Sequence, residues 1–123
     1  CVGSYPAGRA VSHVTEHDKA LALVRCLRIL MESRAYPMLA THDPRIIELA
    51  QELALRNGRG PESFEYQMFH GVRPLEQRRL ADIGLRCRTY IPFGPGWYGY
   101  LATRMAARPR ILFSYARALL DKR

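Results

Sequence analysis

Short apolar runs alternate along this chain with helical segments that open on a capping signal or a proline and close on a glycine, which restricts the folds open to it. Tyr36 to Ala40 (YPMLA) is the clearest short run, and Thr41-His42-Asp43-Pro44 follows it. Asp43 is placed to cap a helix whose first turn accepts Pro44. In that helix Ile46, Leu49, Ala50 and Leu53 recur at helical spacing, and Asn57-Gly58 supplies the left-handed stop. Arg59-Gly60-Pro61 makes the turn into a second run, in which Phe64, Tyr66 and Met68 alternate with Glu65, Gln67 and Phe69 as a strand requires. That strand is expected to end near His70-Gly71. Pro74 to Ile83 then forms a helix closed by Gly84, and Arg86 to Pro92 is the next strand.

The flanks extend the alternation. Cys1 to Tyr5 (CVGSY) reads as the end of a strand entering a loop. Leu23, Leu27 and Leu30, with Ala20, Val24 and Met31 on neighbouring rows, mark a helix over His17 to Met31 with one buried side. After FGPG, Trp97 to Ala107 can form a fourth helix, and Pro109 separates it from a terminal helical run over Ile111 to Leu120. The order predicts an α/β fold of about four parallel strands alternating with helices. A complete (β/α)8 barrel takes about 250 residues, and this chain has 123. The expectation is therefore a single partial domain over residues 1–123, the C-terminal half of a TIM-like barrel, with its start upstream of Cys1 and the N-terminal strands supplied elsewhere.

Composition narrows the class. A hydrophobic fraction of 48% suits a globular chain. No window approaches the roughly 18 to 20 apolar residues of a membrane span, and CVGSYPAGRA lacks the charged start and apolar middle of a signal peptide. Cys1, Cys26 and Cys87 are odd in number and widely spaced, which suits neither a disulfide framework nor a zinc knuckle and favours a reducing, cytoplasmic setting. The net charge of +8 raises nucleic-acid binding as a reading. The arginines are scattered, however, with Arg34, Arg56, Arg59 and Arg73 at helix ends or in loops, and no nucleic-acid motif accompanies them; a solvated basic surface is the reading preferred. His13 and His17 are four apart but have no third ligand, so no metal site is assigned.

In parallel α/β folds the loops after the strands' carboxyl ends build the active site. Gly3-Ser4-Tyr5, Thr41-His42, Phe69-His70, and Tyr90 with Tyr100 to Arg104 occupy such places. Around them VGSY, ATHDPR, FEYQMFHGVRP, YIPFG and WYGYLATRMAARP occur in order. These segments resemble KGAY, ATHNPR, EFQMLYGVR, YVPYG and WYPYFMRRLAERP of the proline dehydrogenase family, the flavin-dependent barrel that oxidises L-proline to 1-pyrroline-5-carboxylate. The resemblance spans nearly the whole chain.

What the resemblance implies is specific. FAD would be the cofactor, bound by Val2, Gly3, Ser4, Thr41 and His42. Phe69, Tyr100, Thr103 and Arg104 would line the proline site, and Tyr90 and Arg104 would act at the reacting centre. Tyr100 and Arg104 are four apart on the expected helix and so share a face, and a guanidinium suits a substrate carboxylate because its fork binds two oxygens. From residues alone the tyrosines are equally readable as aromatic core, Arg104 as a solvated helix face and His42 as a loop residue. The family supplies a catalytic lysine and aspartate from earlier strands, and its electrons pass to an acceptor such as a membrane quinone, which allows peripheral membrane attachment. By itself this chain is expected to show no turnover.

The pattern departs from the family at Val2, which replaces a lysine, at Thr103, which replaces the first of two arginines, and at Ala107, which replaces a glutamate. Phe69 stands where leucine is common. These changes keep two alternatives open: a degenerate pseudoenzyme barrel serving as a binding or structural module, and a relative acting on another cyclic amino acid.

Overall fold

The computed structural model describes His13, residues 15–100 and Ala102. Within them the elements are α1 (Glu16–Glu32), β1 (Met38–Ala40), α2 (Pro44–Arg56), a 3-10 turn (Pro61–Ser63), β2 (Glu65–Phe69), α3 (Pro74–Asp82) and β3 (Cys87–Tyr90). Residues 97–100 are helical, as expected for the start of the fourth helix. The expected first strand at Cys1 to Tyr5, the rest of the fourth helix apart from Ala102, and the terminal run over Ile111 to Leu120 lie outside the described residues.

Local chemistry sets the boundaries. Asp43 accepts the backbone N–H of Arg45 at 3.0 Å and Pro44 occupies the first turn, so α2 begins where its signals stand. Gly58 (φ 62°) and Gly84 (φ 80°) carry the chain out of α2 and α3 in the left-handed region, which glycine enters without steric cost. Thr15 caps α1 by accepting the N–H of Asp18 at 3.1 Å. The other end of α1 is closed from a distance: the Arg59 guanidinium donates to the carbonyls of Met31 (2.7 Å), Leu30 (3.0 Å), Ala35 (3.1 Å) and Ser33, and to Ser63 O at 3.1 Å. Arg59 is thus a cap for the carbonyls at a helix end rather than a solvated surface charge.

The three strands form one parallel sheet in the order β1-β2-β3. Leu39 pairs with Tyr66 and Tyr66 with Cys87; one step towards the carboxyl ends, Gln67 pairs with Ala40 and Arg88, and Phe69 lies beside Tyr90. Leu39, Tyr66 and Met68 point to the face covered by the helices, where Ile47 and Ala50 of α2, Leu80 of α3 and, from α1, Leu27 and Met31 complete a single core. The Tyr66 hydroxyl donates to Ile47 O at 3.2 Å, and burial pushes its pKa up to about 12. Leu30, expected on the buried stripe of α1, is 41% exposed, because the helix turns its Leu27 and Met31 row inward.

The second face of the sheet carries a different layer. Glu65 is fully buried although its alternation with Phe64 and Tyr66 puts it opposite the core. Its carboxylate accepts from Arg88 Nε (2.8 Å) and Nη2 (2.9 Å), from Gln67 Nε2 (2.8 Å) and from the Tyr36 hydroxyl (3.4 Å). The Arg88 fork, and after it the Gln67 amide, hold Glu65 down at a pKa of about 2. Above this charged layer, towards the strands' carboxyl ends, the same face becomes aromatic.

Candidate functional site

The aromatic layer is built by four residues from four successive stretches of chain. His42 lies two residues beyond β1, Phe69 and Tyr90 are the last residues of β2 and β3, and Tyr100 lies in the helical segment that begins at residue 97. The His42 imidazole stacks on the Phe69 ring, with centroids 5.6 Å apart and planes 25° apart. Tyr90 meets Phe69 edge to face at 5.0 Å and 87°, and Tyr100 lies 6.5 Å from Tyr90. Such offset and edge arrangements match the rings' quadrupoles and hold the side chains without sealing them in. Tyr90 is 50% exposed and Phe69 half-buried, so the layer presents ring surface outward.

The loops beneath the rings are tied to one another. His42 Nε2 accepts the backbone N–H of Phe69 at 3.0 Å, and the His42 carbonyl accepts from Arg73 Nη1 at 2.9 Å. Thr41 Oγ1 accepts the N–H of Asp43 at 3.1 Å, a local turn that leads into the α2 cap. The Asp43 carboxyl is held below its usual range, first by the Arg45 guanidinium that bonds it. Gln77 of α3 donates its side-chain N–H groups to Phe69 O (3.0 Å) and Val72 O (2.8 Å) and accepts the Thr89 hydroxyl (3.0 Å), fixing the end of β2 against β3. Sequence did not name Gln77 and read Arg73 only as part of a solvated basic surface; each lies in the loop or helix after β2, where a polar residue reads as solvent-facing.

Of the site residues that the resemblance implies, Thr41, His42, Phe69, Tyr90 and Tyr100 are described; His70, also placed at a strand end by sequence, is exposed beside Phe69. His42, Phe69, Tyr90 and Tyr100 form one contiguous group, with Thr41 next to His42 in the chain. Val2, Gly3, Ser4, Thr103 and Arg104 lie outside the described residues. Among the described residues no three His, Cys, Asp or Glu side chains gather into a metal-ligand set, and no helix is long and apolar enough to cross a membrane.

Parallel strands with helices on one face define an α/β unit, and its aromatic and hydrogen-bonding layer lies at the strands' carboxyl ends, where folds of this class bind ligands. The family model for proline dehydrogenase matches residues 14–105. Proline dehydrogenase of Deinococcus radiodurans is 44% identical over 108 residues, which covers 88% of this chain and 35% of that protein. Proline dehydrogenase 1 and proline dehydrogenase 2 of Bacillus subtilis are each 32% identical, over 120 and 114 residues, covering 98% and 92% of this chain but 40% and 38% of those proteins. This chain belongs to the proline dehydrogenase family, and it spans about two fifths of the length of these relatives.

Proposed function

We propose that this chain is the C-terminal half of a (β/α)8 barrel that oxidises L-proline to 1-pyrroline-5-carboxylate, with FAD as hydride acceptor. The observation that carries the reading is the contiguity of His42, Phe69, Tyr90 and Tyr100 at the carboxyl ends of parallel strands. The residues present fit a flavin: flat ring surface, backbone at a strand end and the polar atoms of Thr41 and His42 are the groups that can meet an extended aromatic system with polar edges. The sheet's second face, with its buried Glu65 and its exposed Met38, is what a barrel interior requires, and further strands beside β1 would complete it.

In this reading Thr41 and His42, with Val2, Gly3 and Ser4 at the preceding strand end, hold the cofactor. Tyr90 and Tyr100 wall the substrate side and exclude water, while Arg104, one helical turn beyond Tyr100, pairs with the proline carboxylate. FAD, when bound, supplies the acceptor for the hydride leaving the carbon next to the proline nitrogen. The chain's own work is binding, orientation and desolvation, with the catalytic lysine and aspartate expected from the other half of the barrel. A membrane quinone on the cytoplasmic side would accept the electrons.

Phe69 supports a second reading within the same class, since its ring fills the space between His42 and Tyr90 where leucine is common, and Thr103 withdraws one carboxylate arginine. On that basis a different cyclic amino acid is the alternative substrate. The test is steady-state dye reduction by the full-length protein with proline and other cyclic amino acids, with the pyrroline product trapped. Turnover of proline supports the first reading, turnover of another ring alone supports the second, and turnover of none overturns both.

A further inference from the structure

Among the described residues, Arg73 is the one non-glycine with a left-handed backbone, at φ 51° and ψ 55°. The ring of Pro74 disfavours right-handed helical geometry at the residue before it, and the chain must still turn from Gly71 into α3. A residue with a Cβ stays in the left-handed region only where its surroundings hold it there, and such positions cluster at functional sites.

What holds Arg73 is His42. The guanidinium crosses from the loop after β2 to the loop after β1 and donates Nη1–H to the His42 carbonyl at 2.9 Å. The ring of the same histidine is gripped at its other end, because Nε2 accepts the Phe69 N–H at 3.0 Å while the imidazole stacks on the Phe69 ring. A ring nitrogen that accepts a hydrogen bond carries no proton, so the neutral imidazole has its proton on Nδ1. His42 is therefore held in position through its backbone carbonyl and in tautomer through its ring, and the first of these constraints comes from a side chain that substitution can remove.

We propose that Arg73 is a positioning residue for the cofactor loop: its guanidinium, delivered by the left-handed turn, clamps His42 so that the imidazole keeps its stacked, Nδ1-protonated state. The assignment of flavin as the ligand rests on the function proposed above; the clamp itself rests on the contacts among Arg73, His42 and Phe69. Glycine at position 73 would relax the backbone and delete the guanidinium together. A purely structural arginine and a positioning arginine consequently predict opposite results from one substitution.

The experiment compares wild type, Arg73→Gly, Arg73→Met and Arg73→Lys in the full-length protein, reading thermal midpoint, FAD affinity, the visible band shape of bound FAD and the nitrogen NMR signals of the His42 ring. Arg73→Gly is expected to hold or raise the midpoint while weakening FAD about tenfold, equivalent to about 1.4 kcal/mol. Its flavin bands shift and its His42 ring shows mixed tautomers; Arg73→Met loses the same affinity, and Arg73→Lys recovers part of it. FAD affinity, bands and histidine signals that stay at wild-type values in Arg73→Gly would overturn the proposal, as would an affinity loss that only follows the midpoint. If wild type binds no FAD, the flavin reading fails by itself, and the histidine signals still decide the clamp: a single Nδ1–H tautomer that becomes mixed in Arg73→Gly supports it, and unchanged signals overturn it.

Discussion

His42 Nε2 and the backbone N–H of Phe69 meet at 3.0 Å, so a side chain from the loop after β1 completes the hydrogen bonding at the end of β2. Two strand ends are joined by a group that also offers a ring face. His42→Ala removes the acceptor and leaves the Phe69 N–H half-buried without it. The expected cost is about 1 to 3 kcal/mol of stability, read from urea unfolding, and it is expected to be accompanied by loss of bound FAD in the full-length protein. His42→Asn, which keeps a side-chain acceptor, is expected to regain part of the stability.

Glu65 links stability to pH. Its folded pKa, about 2, lies below the ordinary 4.5, chiefly because the Arg88 fork favours the carboxylate. A depressed carboxylate stabilises the fold above its unfolded pKa and loses that contribution as pH falls through the folded one. The stability gap between wild type and Glu65→Gln is therefore expected to be full at neutral pH and to close between about 4.5 and about 2. Denaturant titrations of both proteins across that range check it; a gap independent of pH would contradict it.

Arg59 donates to five carbonyls around the end of α1 and the turn before β2. Arg59→Met keeps much of the aliphatic stem and removes every donor. A loss of roughly 2 to 3 kcal/mol is expected, at the strength of hydrogen bonds from a charged group and with partial replacement by water, and urea unfolding measures it. FAD binding is expected to survive, because these carbonyls lie towards the opposite ends of the strands from His42.

Thr103, outside the described residues, stands where the resembling sequences carry an arginine. If a second guanidinium belongs on the substrate carboxylate, Thr103→Arg is expected to lower the KM for proline about ten- to a hundredfold, the worth of a charged hydrogen bond. Steady-state kinetics of the full-length protein decide it, and an unchanged KM would contradict the carboxylate role.

The order of elements was legible because its signals are local. Asp43-Pro44, Gly58, Gly84 and the alternation of Phe64, Tyr66 and Met68 each act within a few residues, and the elements begin and end at or near them. The aromatic layer was legible through resemblance at His42, Phe69, Tyr90 and Tyr100, since ring types alone do not separate a site from a core. Glu65 was not, because alternation assigns it a face but says nothing about Arg88, Gln67 and Tyr36 closing over it. Arg59 and Arg73 were read with the scattered positive charge; apart from Ser63 O, their partners are main-chain carbonyls 24 to 31 residues away, and carbonyls are the same in every sequence.

The central claim is that the rings of His42, Phe69, Tyr90 and Tyr100 form part of a flavin site that serves proline oxidation. Anaerobic addition of proline to the purified full-length protein, followed by visible absorption, tests it most directly. Flavin bands present at the start and bleached by proline, with the bleaching lost in a Tyr90→Ala, Tyr100→Ala double variant that still binds FAD, are the predicted result. A protein that carries no flavin, or whose flavin stays oxidised in excess proline, would contradict the claim.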